Sequence, residues 1–226
     1  SARYRRDLRL ARPHGQGTAP LGSHRAPPPG AAWVFIRIPA GEFCMGSPPD
    51  EQGRSSHEGP VHRVRITRDF LLAETETTRG QARAARAPIA QASGAASVVG
   101  SLTWNEAGAV CSLIEPPRRT ERVGLPTEAM WEYAARAGTT TRYSFGDRET
   151  ALDEHAWFVD NATEAMAAAT RPRQTLGLHD IHGNLREWVS DSYTADLRRA
   201  QVSRPAPSLS TQLTADRSQT EYVVRG

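Results

Sequence analysis

The sequence predicts an α+β fold with a high share of coil. Three observations lead to this class: short strand patterns come first, helices with capping signals follow, and a long aromatic-rich region without periodicity comes last. The 18 glycines and 16 prolines add to the expectation of many turns. Because strands and helices do not alternate along the chain, we do not expect a parallel sheet built from βαβ units.

The first 32 residues form a basic, proline-rich leader, which we predict to be disordered. This segment is rich in Arg, Pro, Gly and Ala, and it has no periodicity that would bury an apolar face. Over the whole chain the arginines are scattered, face 25 acidic residues and leave a net charge of only +3. A solvated leader is therefore favoured over a nucleic-acid-binding arm, and we expect no nucleic-acid partner. The folded domain should span residues 33–226.

The domain should begin with strands. The stretch "WVFIRIPAGEFCMGS" alternates like two short strands that are interrupted at "PAG". In the second of these strands, Phe43 and Met45 should share one face, and Cys44 should lie on the other. The stretch "VHRVRITRDFLLAE" has the same alternation and predicts a further strand or hairpin arm.

Three helices are predicted from capping signals. The first begins at Thr78 and ends before the next proline, which cannot continue a helix. The second begins with a capping box of Thr103 and Glu106. The third has Thr127 as its N-cap and Gly138 as its C-terminal stop. The last two helices should contribute the following residues to the core: Val110, Cys111, Ile114, Met130 and Trp131.

The rest of the chain carries weaker signals. Residues 83–100 are rich in alanine and should be weakly structured. Beyond residue 138 we predict no long element until "EYVVRG", which should be a last strand. No apolar run approaches the roughly 20 residues that a membrane-spanning helix needs, so we expect no membrane partner.

The cysteines and histidines give no signature of a metal site or a nucleophile by their spacing. Cys44 and Cys111 have no C-x-x-C spacing and no activating histidine beside them, so a structural thiol is favoured at both positions. Two histidine pairs, in "HEGPVH" and "HDIH", lack helical H-E-x-x-H spacing and a third ligand. Structural or solvent-exposed roles are favoured for both pairs.

The stretch "GLHDIHGNLREWVSD" is the densest in groups that could bind a ligand. Asp180 and Glu187 are seven residues apart, and Gly183 with Asn184 should form a turn between them. A curled loop of this kind can direct two carboxylates and one or two backbone carbonyls inward, which is the oxygen environment that Ca²⁺ prefers. On spacing alone, acids that cap a turn remain the favoured interpretation.

Four segments of this chain, in order, resemble the formylglycine-generating enzyme family, also called the sulfatase-modifying factor domain. They are "IRIPAGEFCMGS", "EGPVHRVRITRDFLLAETETTRGQ", "GLPTEAMWEYAARAGTTTRYSFGD" and "GLHDIHGNLREWVSD". The last two are highly specific, and the likeness covers about residues 34–226. The resemblance implies a compact C-type lectin-like fold with a high coil content, often stabilised by calcium.

The resemblance also implies the ligands of that calcium ion. Carried onto this sequence, Asp180 and Glu187 would supply carboxylates, and Gly183 and Leu185 would supply backbone carbonyls. Family members often have Asn where this chain has Asp180, and Asp is an equally good oxygen ligand.

The activity that the resemblance implies depends on a copper ion. Enzymes of the family oxidise a sulfatase cysteine to formylglycine with O₂, and two cysteines downstream of an Arg-Gly-Gly-Ser-like segment hold the copper. The sequence ends at "VVRG", where that segment begins. We therefore assign no catalytic residue within these 226 residues and expect no oxidation from them. Copper would bind only if the two cysteines follow.

Three functions stay open at this point. The first is a formylglycine-generating oxidase, truncated here, with a sulfatase as its protein substrate. The second is a non-catalytic, lectin-like module that binds a ligand or a protein through its loops, as many bacterial proteins with this domain do. The third is the C-terminal half of a sulfoxide synthase of the ergothioneine type. Since no His-x₃-His-x-Glu pattern stands upstream of Trp33, it is the least favoured.

Overall fold

The computed structural model describes residues 3–5, 32–87, 98–100, 102–116, 122–192 and 222–225. The strands are β1 (Arg3–Arg5), β2 (Val34–Ile38), β3 (Gly41–Met45), β4 (His62–Ile66), β5 (Phe70–Ala73), β6 (Glu187–Ser192) and β7 (Tyr222–Arg225). The helices are α1 (Arg79–Ala84), α2 (Trp104–Leu113), α3 (Glu128–Arg136) and α4 (Leu152–His155), with short 3-10 helices at Ser56–Glu58 and Glu149–Ala151.

The strands form small antiparallel sheets. One has the order β1-β2-β5, and the pairs β3-β4 and β6-β7 make the other two among the described residues. In the β3-β4 hairpin, Gly41 pairs with Ile66 and Met45 with His62. In the third sheet Glu187 pairs with Arg225, and the register shifts farther along β6. This mixture of helices and small sheets is the predicted α+β class.

The predicted strand pattern is confirmed in the first half of the domain. The break at "PAG" falls between β2 and β3, and Cys44 is exposed while Met45 on the opposite face is buried. The segment "VHRVRITRDFLLAE" makes two strands, β4 and β5, rather than one. β1 lies in the leader for which we predict disorder, and it pairs with β2. The remainder of residues 1–31 lies outside the described residues, and disorder there stays a prediction.

The helix starts are confirmed by their caps. Each N-cap threonine accepts a hydrogen bond from the backbone N–H three residues later, at 3.2 Å for Thr78, 3.3 Å for Thr103 and 3.1 Å for Thr127. Such a cap contributes about 1 kcal/mol. The predicted end of α3 is one residue late. Ala137 already adopts the left-handed conformation at φ 51°, and Gly138 follows with φ 87°.

The main core lies between β2, α3, β6 and the segment before β6. Its buried members are Ile36, Ile38, Trp131, Ala134, Ala135, Leu178, Ile181 and Val189. Full burial of an isoleucine side chain contributes about 1.5–3 kcal/mol. Of the predicted helix residues, Val110, Ile114 and Trp131 are buried, whereas Cys111 and Met130 are half-buried. Of these five, Trp131 alone belongs to this cluster.

An ionic cluster joins β7 to α3. The Arg225 guanidinium bonds Glu128 at 2.8 Å and Glu132 at 2.9 Å, and both carboxylates are buried. Glu132 also accepts hydrogen bonds from Arg136 Nε and from the Gly46 backbone N–H. The cluster therefore ties the C-terminal strand and the turn after β3 to one face of α3.

Beyond α3 the chain runs through turns toward β6, as predicted, although the one-turn helix α4 interrupts it. Of the alanine-rich stretch, residues 88–97 lie outside the described residues, and its weak structure stays a prediction there. Within the described part of the chain, no helix has the length and hydropathy needed to cross a bilayer.

Candidate metal site

The turn between Leu178 and Glu187 is shaped by two left-handed residues and one close approach. Asp180 has φ 57° and Asn184 has φ 66°, a left-handed conformation that residues other than glycine adopt only as single positions. A Cβ added to Gly183 would lie 2.3 Å from the Trp157 carbonyl oxygen. The Asn184 N–H donates to the same oxygen at 2.7 Å. A glycine is therefore required at position 183 for this turn to pack against Trp157.

Asp180 places a carboxylate inside this turn. The residue is only 4% exposed, and its Oδ2 accepts a hydrogen bond from the Ala169 N–H at 2.7 Å. Its Oδ1 is buried and has no hydrogen-bond partner among the described residues. Burial raises the pKa of Asp180, and the backbone N–H groups of Ala169 and Arg171, together with the Arg171 charge, oppose that rise. A buried carboxylate oxygen without a donor is costly, and a cation would offset that cost.

Glu187 supplies the second carboxylate of the predicted pair. It is the first residue of β6, directly after the turn. Burial raises the pKa of Glu187 to about 7, and the negative charge of Asp180 contributes to that rise. The two carboxylates therefore lie close enough to repel each other. The sequence brings together two acids in a buried setting that favours a bound cation or protonation.

A third carboxylate, Glu76, reaches the same turn from the end of β5. Its Oε2 accepts a hydrogen bond from Asn184 Nδ2 at 2.6 Å, and its Oε1 accepts one from the Leu185 N–H at 2.9 Å. Burial, followed by the charge of Glu187, raises the pKa of Glu76 to about 8. Sequence reasoning did not single out Glu76. The only local signal is an acid in the threonine-rich stretch "ETETT", far from the turn in sequence.

The groups of this turn that could bind a cation are oxygens. Among the described residues, no group of three or more His, Cys, Asp or Glu side chains could hold a metal ion. A cation at this turn would therefore draw on two carboxylates, Asp180 and Glu187, and on backbone carbonyls of the turn, those of Gly183 and Leu185. This is the oxygen-rich combination that Ca²⁺ accepts and that softer metals do not favour.

The two histidines of "HDIH" make structural contacts. His179 Nδ1 donates to the Arg171 carbonyl at 2.9 Å. His182 Nε2 accepts hydrogen bonds from the Ser144 N–H and hydroxyl at 3.1 and 2.9 Å. Burial, with a smaller effect of His155, lowers the pKa of His182 to about 4, so that its ring is neutral near pH 7. Of the other pair, His62 Nδ1 donates to the Pro60 carbonyl and His57 is exposed.

The two thiols lie in different settings. Cys44 is exposed on β3, where it pairs across the hairpin with Arg63. Cys111 is half-buried on α2, and burial raises the pKa of its thiol to about 11. Neither forms a disulfide. A copper(I) site needs a pair of thiolates on the same ion, and a thiol with so high a pKa is a poor member of such a pair.

Comparison with known sequences gives a family match over most of the chain. Residues 27–226 match the domain described as sulfatase-modifying factor enzyme 1-like. Inactive C-alpha-formylglycine-generating enzyme 2 of Mus musculus is 31% identical over 49% of this chain and 37% of its own length. Serine/threonine-protein kinase Pkn1 of Chlamydia trachomatis is 28% identical over 76% of this chain and 30% of its own length. The chain thus spans about a third of these two relatives.

Other similar proteins match over more of their length. Formylglycine-generating enzyme of Streptomyces coelicolor is 27% identical over 70% of this chain and 69% of its own length. Among solved structures, PvdO from Pseudomonas aeruginosa superposes with a TM-score of 0.67 at 25% identity and covers 75% of each chain. Treponema denticola variable protein 1 superposes with a TM-score of 0.58 at 21% identity, over 72% of this chain and 74% of its own. The two structures share the fold described above.

Proposed function

This chain belongs to the sulfatase-modifying factor enzyme 1-like family, and from that premise we propose that it is a calcium-organised scaffold that binds a protein or peptide segment through its loops. In this proposal the fold is of the C-type lectin-like kind. The 226 residues do not themselves oxidise a cysteine. Calcium is a structural ion here, held by Asp180 and Glu187 through carboxylates and by Gly183 and Leu185 through carbonyls.

The buried Oδ1 of Asp180 carries the calcium part of the proposal. That oxygen has no donor among the described residues, and the negative Glu187 lies nearby. Two like charges in a buried turn destabilise the fold unless they are protonated or bound to a cation. A divalent ion would satisfy the lone oxygen and neutralise both carboxylates at once.

The placement of the thiols supports the non-catalytic part of the proposal for these residues. Cys44 is exposed in a sheet, while Cys111 is half-buried in a helix and has a high pKa. One similar protein, from Mus musculus, is itself named inactive. The long loop region between α3 and β6 then provides the surface for recognition, since loops on a rigid scaffold often carry binding residues.

A second candidate function is the oxidation of a sulfatase cysteine to formylglycine. The match to the Streptomyces coelicolor enzyme over 69% of its length favours this function. It would require a copper-binding cysteine pair beyond the two thiols described here.

Thermal melting tests the calcium site. The chain is stripped with a chelator and melted at increasing Ca²⁺ concentrations, with Mg²⁺ in parallel. Because the ion binds the folded state, stability should rise by about 2.7 kcal/mol when Ca²⁺ reaches 100 times its Kd. Asp180→Ala should abolish the rise, whereas Asp160→Ala, at an exposed acid, should leave it intact. A wild-type chain that melts at the same temperature with and without Ca²⁺ would contradict the assignment.

A conversion assay tests whether these 226 residues oxidise a substrate cysteine by themselves. The chain is incubated with copper(I), O₂ and a cysteine-containing sulfatase peptide, and the peptide is analysed by mass spectrometry. We expect the cysteine to be recovered unchanged. Conversion to the aldehyde, if lost in Cys44→Ser or in Cys111→Ser, would establish the oxidase instead.

A further inference from the structure

Glu76 links the turn to a distant part of the chain through two short contacts. It lies beyond β5 and is 9% exposed, while Asn184 and Leu185 lie 108 and 109 residues later. One oxygen accepts from a side-chain amide and the other from a backbone N–H. A charged acceptor makes each of these bonds stronger than an ordinary neutral one. The carboxylate therefore fixes both the Asn184 side chain and the peptide group that follows it.

The two bonded residues form the centre of the proposed calcium turn. Asn184 stands in the left-handed region, between Gly183 and Leu185, whose carbonyls are the proposed backbone ligands. The Asn184 side chain also accepts a hydrogen bond from the Met166 N–H at 2.8 Å. Few residues other than glycine hold a left-handed conformation without support. Glu76 provides that support through its bonds to Asn184 and Leu185.

Glu76 can orient the ligands of the ion, but it does not itself serve as a ligand. Each of its oxygens already accepts a hydrogen bond from the turn. In the described part of the chain, it does not form a three-carboxylate metal group with Asp180 and Glu187. In its ionised form, which burial disfavours and a bound cation would favour, its carboxylate acts on the same region as theirs. It can therefore affect an ion in two ways, by holding the turn and by adding to the local negative potential.

We propose that Glu76 is the positioning residue of this turn, and that it sets the Gly183–Leu185 backbone for calcium through its bonds to Asn184 and Leu185. The inference rests on the proposed calcium site. Outer groups that orient metal ligands typically change metal affinity by about 10- to 100-fold when they are replaced.

The test compares calcium affinity with ion-free stability in Glu76→Gln. Glutamine has the same size, and its amide oxygen can still accept the hydrogen bond from the Leu185 N–H. Its amide nitrogen then faces the Asn184 side-chain nitrogen, and two donors cannot form a hydrogen bond. We expect the calcium Kd, measured by isothermal titration calorimetry, to rise by about 10- to 100-fold. In chelator, the melting temperature should not fall, because glutamine keeps the hydrogen bond from Leu185 and is neutral in a site where burial disfavours the charged carboxylate.

Asn184→Gly provides an independent variant, since glycine adopts φ 66° without strain. It should raise the calcium Kd as well. In the double variant with Glu76→Gln, the loss of binding free energy should be smaller than the sum of the two single losses, because both changes break the same contact. If Glu76→Gln unfolds, Asn184→Gly still tests the contact by its effect on the calcium Kd. The exposed-acid variant Asp160→Ala is the matched control for charge.

The outcomes distinguish the two proposals. A raised Kd with unchanged ion-free melting supports the positioning role. An unchanged Kd in both Glu76→Gln and Asn184→Gly, while Asp180→Ala abolishes binding, overturns it and leaves the calcium site standing. A lower ion-free melting temperature with an unchanged Kd overturns it in favour of a structural role. A wild-type chain that gives no calcium heat overturns the calcium site, and the inference with it.

Discussion

At Gly183 the chain passes so close to another backbone segment that one added carbon would not fit. We predict that Gly183→Ala lowers the free energy of unfolding by about 1–3 kcal/mol, because the new Cβ would meet the Trp157 carbonyl at 2.3 Å and the backbone would have to move. Urea denaturation measures the change. The variant should also lose the calcium-dependent rise in melting temperature, since the turn that carries the ligands is displaced.

Gly108 offers the matched comparison for that substitution. It lies inside α2, and a Cβ added there would meet nothing within 4 Å. Gly108→Ala should therefore raise the free energy of unfolding by about 0.5–1 kcal/mol, because alanine is the better helix former. Equal effects at the two positions would show that the contact with Trp157 does not constrain Gly183.

Residue-scale patterns predicted half of the candidate site. Asp180, Gly183 and Asn184 lie within five residues, so a turn with inward oxygens could be inferred from their types and spacing. Glu76 could not be inferred, because its contact with Asn184 spans 108 residues. The burial of Asp180 could not be predicted either, since it depends on how distant elements pack around the turn.

At the scale of elements, the first residues of the helices could be predicted from the sequence, but the contacts between helices and strands could not. A threonine N-cap acts on a backbone N–H three residues away, so Thr78, Thr103 and Thr127 predict their helices locally. Nothing in the sequence of β7 indicates which residues pair with Arg225. Those partners, Glu128 and Glu132, are buried acids on a helix far back in the chain. From the sequence alone, both acids would be placed on the solvent-exposed face of α3.

We predict that Arg225→Ala lowers the free energy of unfolding by about 3 kcal/mol, because it leaves two buried carboxylates with less compensation. Arg136 still pairs with Glu132, which keeps the loss below that of an isolated buried charge. The control is Arg63→Ala. The Arg63 side chain is 79% exposed and pairs with Glu42 on the surface, so that its loss should cost at most about 1 kcal/mol.

The same variant should show a defined dependence on pH. Burial raises the pKa of Glu128 above its value in the unfolded chain, and the Arg225 charge opposes that rise. Removal of Arg225 raises this pKa further. A group with a raised folded pKa stabilises the fold at low pH and loses that contribution as pH increases. The deficit of Arg225→Ala should therefore shrink in urea titrations as pH falls from 7 toward 4.5. A deficit that grows on acidification would contradict this account.

At the scale of the whole molecule, the elements are joined by contacts between distant parts of the chain. Gly46 bonds Glu132 across 86 residues, and the Trp104 indole N–H donates to the Val189 carbonyl across 85. The Trp188 indole N–H donates to the Leu102 carbonyl across 86. Sequence patterns predicted the α+β class and a series of strands followed by three helices, because each pattern is local, but they did not predict β1, α4 or β6. They could not give the pairing of the sheets or the docking of α2 against β6, which depend on these remote contacts.

Such a network predicts one cooperative unfolding transition. Because β2, α3 and β6 share one core cluster and the turn before β6 is bonded to Glu76, these elements cannot separate without breaking contacts in one another. Far-UV circular dichroism and tryptophan fluorescence should therefore give the same urea midpoint, and Ca²⁺ should shift both midpoints equally. A fluorescence transition that precedes the loss of circular dichroism, or that alone responds to Ca²⁺, would instead show that the region between α3 and β6 unfolds by itself, and that its bonds to Glu76 do not couple it to the core.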